Sequence, residues 1–88
     1  MLPPKISRVE PEVKPPNAYR LKLFYETGET KIFDVRPYLS GAWFGELRDA
    51  EYFKTVHVTP GGDGIEWGHG QDLAPHELYE LSAELPAA

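Results

Sequence analysis

His57, His69 and His76, with Asp72 and Glu77, are the side chains that would hold a metal ion if the fold brought them together. Imidazole nitrogen and carboxylate oxygen suit zinc, but none of the compact ligand spacings of a zinc signature is present. His69 and His76 flank a glycine-rich turn and a helix start, where exposed imidazoles are common. His57 alternates with Val56 and Val58, a pattern that turns it to solvent. Nucleophilic catalysis fares no better, because Ser7, Ser40 and Ser82 fall in a strand, a turn and a helix, outside any G-x-S-x-G elbow. The chain has no cysteine, which removes a catalytic thiol, disulfides and thiolate ligands together. Glu66 is the one carboxylate with an apolar neighbour worth noting for acid–base work. Alternation nevertheless puts it opposite Ile65 and Trp67, toward water. "PGGDG" at Pro60–Gly64 lacks the Lys-Ser/Thr of a phosphate loop and joins two strand segments, so it reads as a turn. The expectation is a protein that is not an enzyme and carries neither metal nor cofactor.

Binding is the better-supported class. Arg20 and Lys22, with Lys31 on the next strand and Phe24 on the same face, could form a basic stripe on which a nucleic-acid base stacks. A solvated sheet face explains the same residues, and the net charge of −5 opposes a phosphate-backbone partner. Residues 35–88 carry nine acidic and three basic groups, against five and six in residues 1–34. That imbalance is compatible with a small, basic protein partner. Two Trp, five Tyr and four Phe must supply much of the core, because Leu, Ile and Val alone would struggle to fill it. Trp43 follows the non-periodic "SGA" and is either a lid over the core, the weightier reading for so large an aromatic, or an exposed anchor for a partner. Trp43, Arg20, Lys22 and Phe24 are therefore the candidate interaction surface.

These residues need a scaffold, and 88 residues suffice for one modest core. Ile6–Val13 reads as a strand in which Pro11 demands an edge position or a bulge. From Tyr19 to Tyr25 strict alternation gives a strand with one buried face; "ETGE" turns the chain and Thr30–Val35 returns. Arg36–Lys54 suits short helical turns. Thr55–Thr59 and Ile65–Trp67 read as strands able to pair, and Pro75–Ala83 as a helix with Leu78, Leu81 and Leu85 on one face. Ala74 at the N-cap, Pro75 at the first helical position, Glu77 reaching back to the cap amide and Leu73 packing on Leu78 would start that helix. "DVRPYL" and "DLAPHEL" repeat an Asp-x-x-Pro device after a strand segment. The whole, residues 1–88, is expected to be one small α+β domain: an antiparallel β-meander and hairpins, short helices, and a C-terminal helix packed on the sheet. Prolines interrupt the N-terminus where a signal peptide needs its apolar core. No apolar run approaches the roughly 18 residues of a membrane span, so a cytoplasmic location is expected.

"LKLFYETGETKIFDV", "FGELRDAEYFKTVHV" and "GIEWGHGQDLAPHELY" resemble, in order, three blocks of a small bacterial family catalogued as domain of unknown function 2442. The resemblance runs from about Ile6 to Tyr79. Its most specific part is a W-x-x-G-x-D-[LI]-x-P-x-x-L-Y run, met by Trp67, Gly70, Asp72, Leu73, Pro75, Leu78 and Tyr79. Members frequently place Ser before the proline and Glu after it; here Ala74 and His76 stand there, so a side-chain N-cap is missing. The resemblance implies a small α+β fold and supplies no catalytic activity. Some members carry a C-terminal helix-turn-helix; with the sequence ending at Ala88, the stand-alone form is the expectation. Others are encoded beside a second small protein, like a toxin–antitoxin pair. The run itself reads as structural: Trp67 anchors a strand, the glycines allow a tight turn that Asp72 braces, and the helix follows. A non-enzymatic protein-interaction module is the resulting expectation, with a homodimer through a free sheet edge as a further possibility and a nucleic-acid-binding accessory protein or a small metal or ligand binder as alternatives.

Overall fold

A computed structural model describes residues 2–84. Its strands are Ile6–Lys14 (β1), Ala18–Tyr25 (β2), Thr30–Asp34 (β3), His57–Val58 (β4), Ile65–Glu66 (β5), Asp72–Leu73 (β6) and Ala83–Glu84 (β7). Its α-helices are Ala50–Phe53 (α1) and Pro75–Leu81 (α2). Two antiparallel sheets result, one ordered β1-β2-β3-β7 and the other β4-β5-β6. The α+β class, the meander and the C-terminal helix are all as the sequence predicts.

Alternation builds the larger sheet. Tyr19, Leu21, Leu23 and Tyr25 of β2 are buried, whereas Arg20 is exposed and Lys22 and Phe24 are half-buried on the other face. Pro11 lies in β1 at the sheet edge, where its missing N–H removes no ladder bond. The register irregularity of β1 falls between Ile6 and Arg8 instead. Gly28 takes φ +95° in the β2–β3 turn, a conformation that favours glycine.

The second sheet contains one expected pairing, His57–Val58 with Ile65–Glu66, and one unexpected strand, β6. Asp72 and Leu73 therefore extend a sheet and do not begin the helix, because Leu73 pairs with Ile65 and Asp72 with Glu66. Gly64 permits this arrangement: a Cβ there would lie 2.7 Å from the Leu73 carbonyl oxygen.

Between the sheets the chain makes 3₁₀ turns at Arg36–Tyr38 and Phe44–Arg48 before α1. Asp49 caps α1 by accepting the Glu51 N–H at 3.0 Å. Helix α2 starts as expected, with Ala74 as N-cap, Pro75 in the first position and no side-chain cap. Glu77 does not reach back to the cap; its carboxylate accepts the Tyr38 hydroxyl at 3.2 Å. The helix stops at Leu81, two residues before the predicted end, because Ser82 is extended and Ala83 pairs with Ile32 of β3. Leu78 is fully buried and Leu81 is 65% exposed; Leu85 lies outside the described residues.

The two Asp-x-x-Pro segments diverge. Asp34 accepts the Arg36 N–H at 3.0 Å and braces the first 3₁₀ turn. Asp72 is an exposed strand residue and, among the described residues, accepts no such bond. The expectation that Asp72 braces the turn is thus corrected: strand pairing turns it outward.

Both halves share one core, in which Leu21, Leu23, Phe33, Val35, Leu47, Phe53, Ile65, Trp67 and Leu78 are essentially inaccessible. Each such side chain contributes roughly 1.5–3 kcal/mol on burial. No described helix is long and apolar enough to cross a membrane.

Candidate functional site

Glu46, Tyr52 and His69 converge around Gln71, the one fully buried polar side chain among the described residues of the second half. Trp67 fixes the turn that delivers it. The Trp67 indole is buried and donates to the Phe53 carbonyl at 2.9 Å. The turn closes through Gly70 N–H to Trp67 O at 3.0 Å and Trp67 N–H to Gln71 O at 2.8 Å, with Gly70 at φ +100°. Alternation through β6 then places Gln71 on the inward side with Leu73, and Asp72 outward.

Every hydrogen-bonding group of the Gln71 amide is used. Its Nε2 donates to the Trp43 carbonyl at 3.0 Å and to Glu46 Oε1 at 2.7 Å, and its Oε1 accepts the Tyr52 hydroxyl at 2.7 Å. The Tyr52 oxygen accepts the His69 N–H at 2.7 Å, and His69 Nδ1 lies 3.0 Å from Glu46 Oε2. The His69 ring stacks on Tyr52 with centroids 4.7 Å apart. The ring of contacts is closed: Gln71, Tyr52, His69, Glu46 and back to Gln71. A buried amide satisfied on both ends rigidifies what it touches.

What it touches includes Trp43. The side chain is 53% exposed, so the reading of Trp43 as a core lid is corrected. Only its backbone carbonyl is tied inward, while the indole rests over Gly70, where a Cβ would come within 3.5 Å of its Cζ2. Beside it opens a cleft of about 390 Å³ lined by Gly45, Glu46, Asp49, Tyr52 and His69. The surface thus offers one indole, one imidazole and two carboxylates.

The other histidines lie elsewhere. His57 pairs across strands with half-buried Glu66 at 3.1 Å, and His76 lines a shallow groove with Leu2, Pro3, Pro4, Tyr79 and Glu80. Among the described residues no three His, Asp or Glu side chains come together as a metal-ligand set.

Register decides the character of the outer sheet face. Arg20 sits between Glu12 and Asp34, Lys22 between Glu10 and Ile32, and Phe24 between Arg8 and Thr30. Arg8 covers the Phe24 ring at 4.1 Å and pairs with Glu10 at 3.1 Å. Interleaved acids replace the expected basic stripe. Lys31 leaves it altogether, because it pairs with Leu23 and so faces the core side, 8% exposed. Its ammonium donates to the Tyr79 carbonyl in the last turn of α2 and lies 3.9 Å from the Tyr79 ring centroid.

Tyr79, the end of the W-x-x-G run, joins that helix to the meander. Its hydroxyl donates to Glu29 at 2.8–2.9 Å, and its ring meets Tyr25 edge-on at 5.2 Å. Hydrogen bonds from Tyr79 and Thr27 hold the Glu29 carboxyl below its ordinary value, against a smaller effect of burial, with Lys31 adding to the lowering. Burial, then the nearby Tyr79 and Glu29, pushes the Tyr25 hydroxyl up to about 12. At Asp34 burial acts upward, but the Arg36 side-chain and backbone hydrogen bonds together outweigh it and the carboxyl is lowered.

Of the sequence candidates, the structure brings Trp43 and Gly70 together and places Trp67, Leu73 and Leu78 in the core. Arg20, Lys22 and Phe24 lie on a separate face. Gln71, Tyr52 and Glu46 were not among those candidates. Gln71 follows from strand β6: once Leu73 is known to pair with Ile65 and face inward, the period of two puts the glutamine inward as well.

A comparison with protein families matches residues 11–84 to the one described as a protein of unknown function (DUF2442). No curated protein and no solved structure gives a match. The matched span contains β2 through β7, the Trp67–Tyr79 run and the whole Gln71 ring, and the chain belongs to the DUF2442 family.

Proposed function

We propose that the protein is a non-enzymatic, cytoplasmic protein-interaction module whose contact surface is centred on Trp43. The observation that carries this reading is a half-exposed indole on a backbone tied to a fully buried glutamine. Tryptophan is enriched among residues that dominate binding energy, and a pre-positioned one loses little freedom on docking. Glu46 and Asp49 beside it favour a partner that presents basic groups. The resemblance to proteins encoded beside a second small protein supports a role as the accessory or neutralising half of such a pair. The polar groups around Gln71 are engaged with one another, which suits a rigid support better than proton transfer.

Nucleic acid is the less supported partner, since Glu10, Glu12 and Asp34 stand among the cations of the sheet face. A photo-crosslinking residue placed at position 43 in cells should capture one protein, and the same residue at position 22 should not. Equal capture at both positions, or none at 43, would sink the reading.

A further inference from the structure

The end of β1, the start of β2 and the end of α1 enclose a groove of about 620 Å³. Pro11, Val13 and Ala18 give it an apolar lining; Lys14, Arg20 and Lys54 bring three cations from three elements, and Glu12 is the one acid among them. Of the six other cations, four are satisfied internally: Lys5 by Asp63, Arg8 by Glu10, Arg36 by Asp34 and Lys31 by the Tyr79 carbonyl; Lys22 lies 5.4 Å from the Phe24 ring centroid, and Arg48 stands outside the groove. Among the described residues, no hydrogen bond or ion pair engages the side chains of Lys14, Arg20 or Lys54. Asp34, opposite Arg20 in register, is hydrogen-bonded by the Arg36 guanidinium at 3.0–3.3 Å, and Arg20 acts on it only through space, more weakly than Arg36.

Three like charges gathered in a groove raise its potential, and in a chain of net charge −5 that concentration runs against the overall balance. An anion placed there gains charge-assisted hydrogen bonds, with the Arg20 fork matching two phosphate oxygens and the lysines acting as mobile point charges. The groove falls within the roughly 300–1,000 Å³ of small-molecule sites. A nucleic-acid strand is disfavoured, because a path from Arg20 along the sheet face meets Glu10, Glu12 and Asp34.

From this convergence we infer that the groove is a binding site for a small phosphorylated compound, its phosphates on Lys14, Arg20 and Lys54 and its uncharged body on Pro11 and Val13. The site is separate from the Trp43 surface and does not depend on its role.

Amide chemical shifts of the full chain, titrated at constant ionic strength with sodium pyrophosphate and with ATP, test it. Saturable shifts centred on Lys14, Arg20 and Lys54 are expected with either ligand. Lys14→Ala and Lys54→Ala should each weaken binding about fivefold, the effect of one charge at contact distance in water, and Glu12→Gln should strengthen it by a similar factor. The dispersion of the remaining amide signals reports that each variant is folded. Shifts that do not saturate, shifts equally large around Lys5 and Arg48, or an affinity unchanged in the Lys14→Ala/Lys54→Ala double variant would overturn the site. Tighter binding of a single-stranded oligonucleotide, with shifts spreading to Lys22 and Phe24, would overturn the small-ligand assignment.

Discussion

The β1–β3 meander and the Trp43–Leu73 segment use different means to reach the same core. In the meander, a main-chain ladder and alternating apolar residues do the positioning, and neighbours in space are neighbours along the hairpins. In the second segment strands are two residues long and helices one turn. There, side chains hold distant backbone: Trp67 holds Phe53, Gln71 holds Trp43, and Tyr19 reaches the Arg48 carbonyl at 2.7 Å. A ladder tolerates the loss of one polar side chain because its bonds are main-chain. A hub concentrates its bonds in one residue, which suits a surface that must present Trp43 in one place.

The largest effect expected lies where the two regions meet. Phe53 packs edge-on against Tyr19 of β2 at 5.5 Å and at a tilt against Trp67 at 5.7 Å, so Phe53→Ala should cost about 3–5 kcal/mol in urea unfolding. Gln71→Leu separates the regions: it removes the hub's three bonds and should cost about 1–3 kcal/mol while raising the mobility of Trp43 in fluorescence anisotropy of a Trp67→Phe background. In the meander the matching polar deletion runs the other way. The buried Tyr25 hydroxyl has no hydrogen-bond partner among the described residues, so Tyr25→Phe should leave neutral-pH stability unchanged or raise it by about 1 kcal/mol.

The same groups set the pH limits. Glu29 and Asp34 have folded values below their ordinary ones, so the stability they contribute is complete above those values and is lost as pH falls through the folded ones. Tyr25 has a raised value, so its contribution is complete below pH 10 and is lost between there and about 12. Glu29→Gln should flatten the acid limb and Tyr25→Phe the alkaline limb of a midpoint-against-pH curve. The smallest stability effect is expected at Trp43→Ala, within about 0.5 kcal/mol, since the indole is half in water. Acrylamide should accordingly quench one tryptophan readily and spare the other, Trp67.

The contrast also explains what the sequence revealed. Tyr19–Tyr25 has a period, and period fixes both strand and buried face, so the meander and its core side were legible. Ala74-Pro75 carried the helix start in local chemistry alone. Strand β6, the inward Lys31 and the exposed Trp43 depend on pairing between distant segments, which leaves little local pattern. Lys31 reads as a surface cation by its charge, but its register with Leu23 puts it in an apolar position, where it finds its partner at the Tyr79 carbonyl. Gln71 turns inward because β6 pairs with β5, so its place becomes legible only once that strand is known.

Quantitative affinity capture from the cells of origin, comparing wild type, Trp43→Ala, Gln71→Leu and Arg20→Ala/Lys22→Ala, addresses the proposed role most directly. One stoichiometric protein retained by wild type and by the Arg20/Lys22 variant, lost with folded Trp43→Ala and reduced with Gln71→Leu, is the result predicted. Recovery of the same protein in equal amount with Trp43→Ala would contradict it.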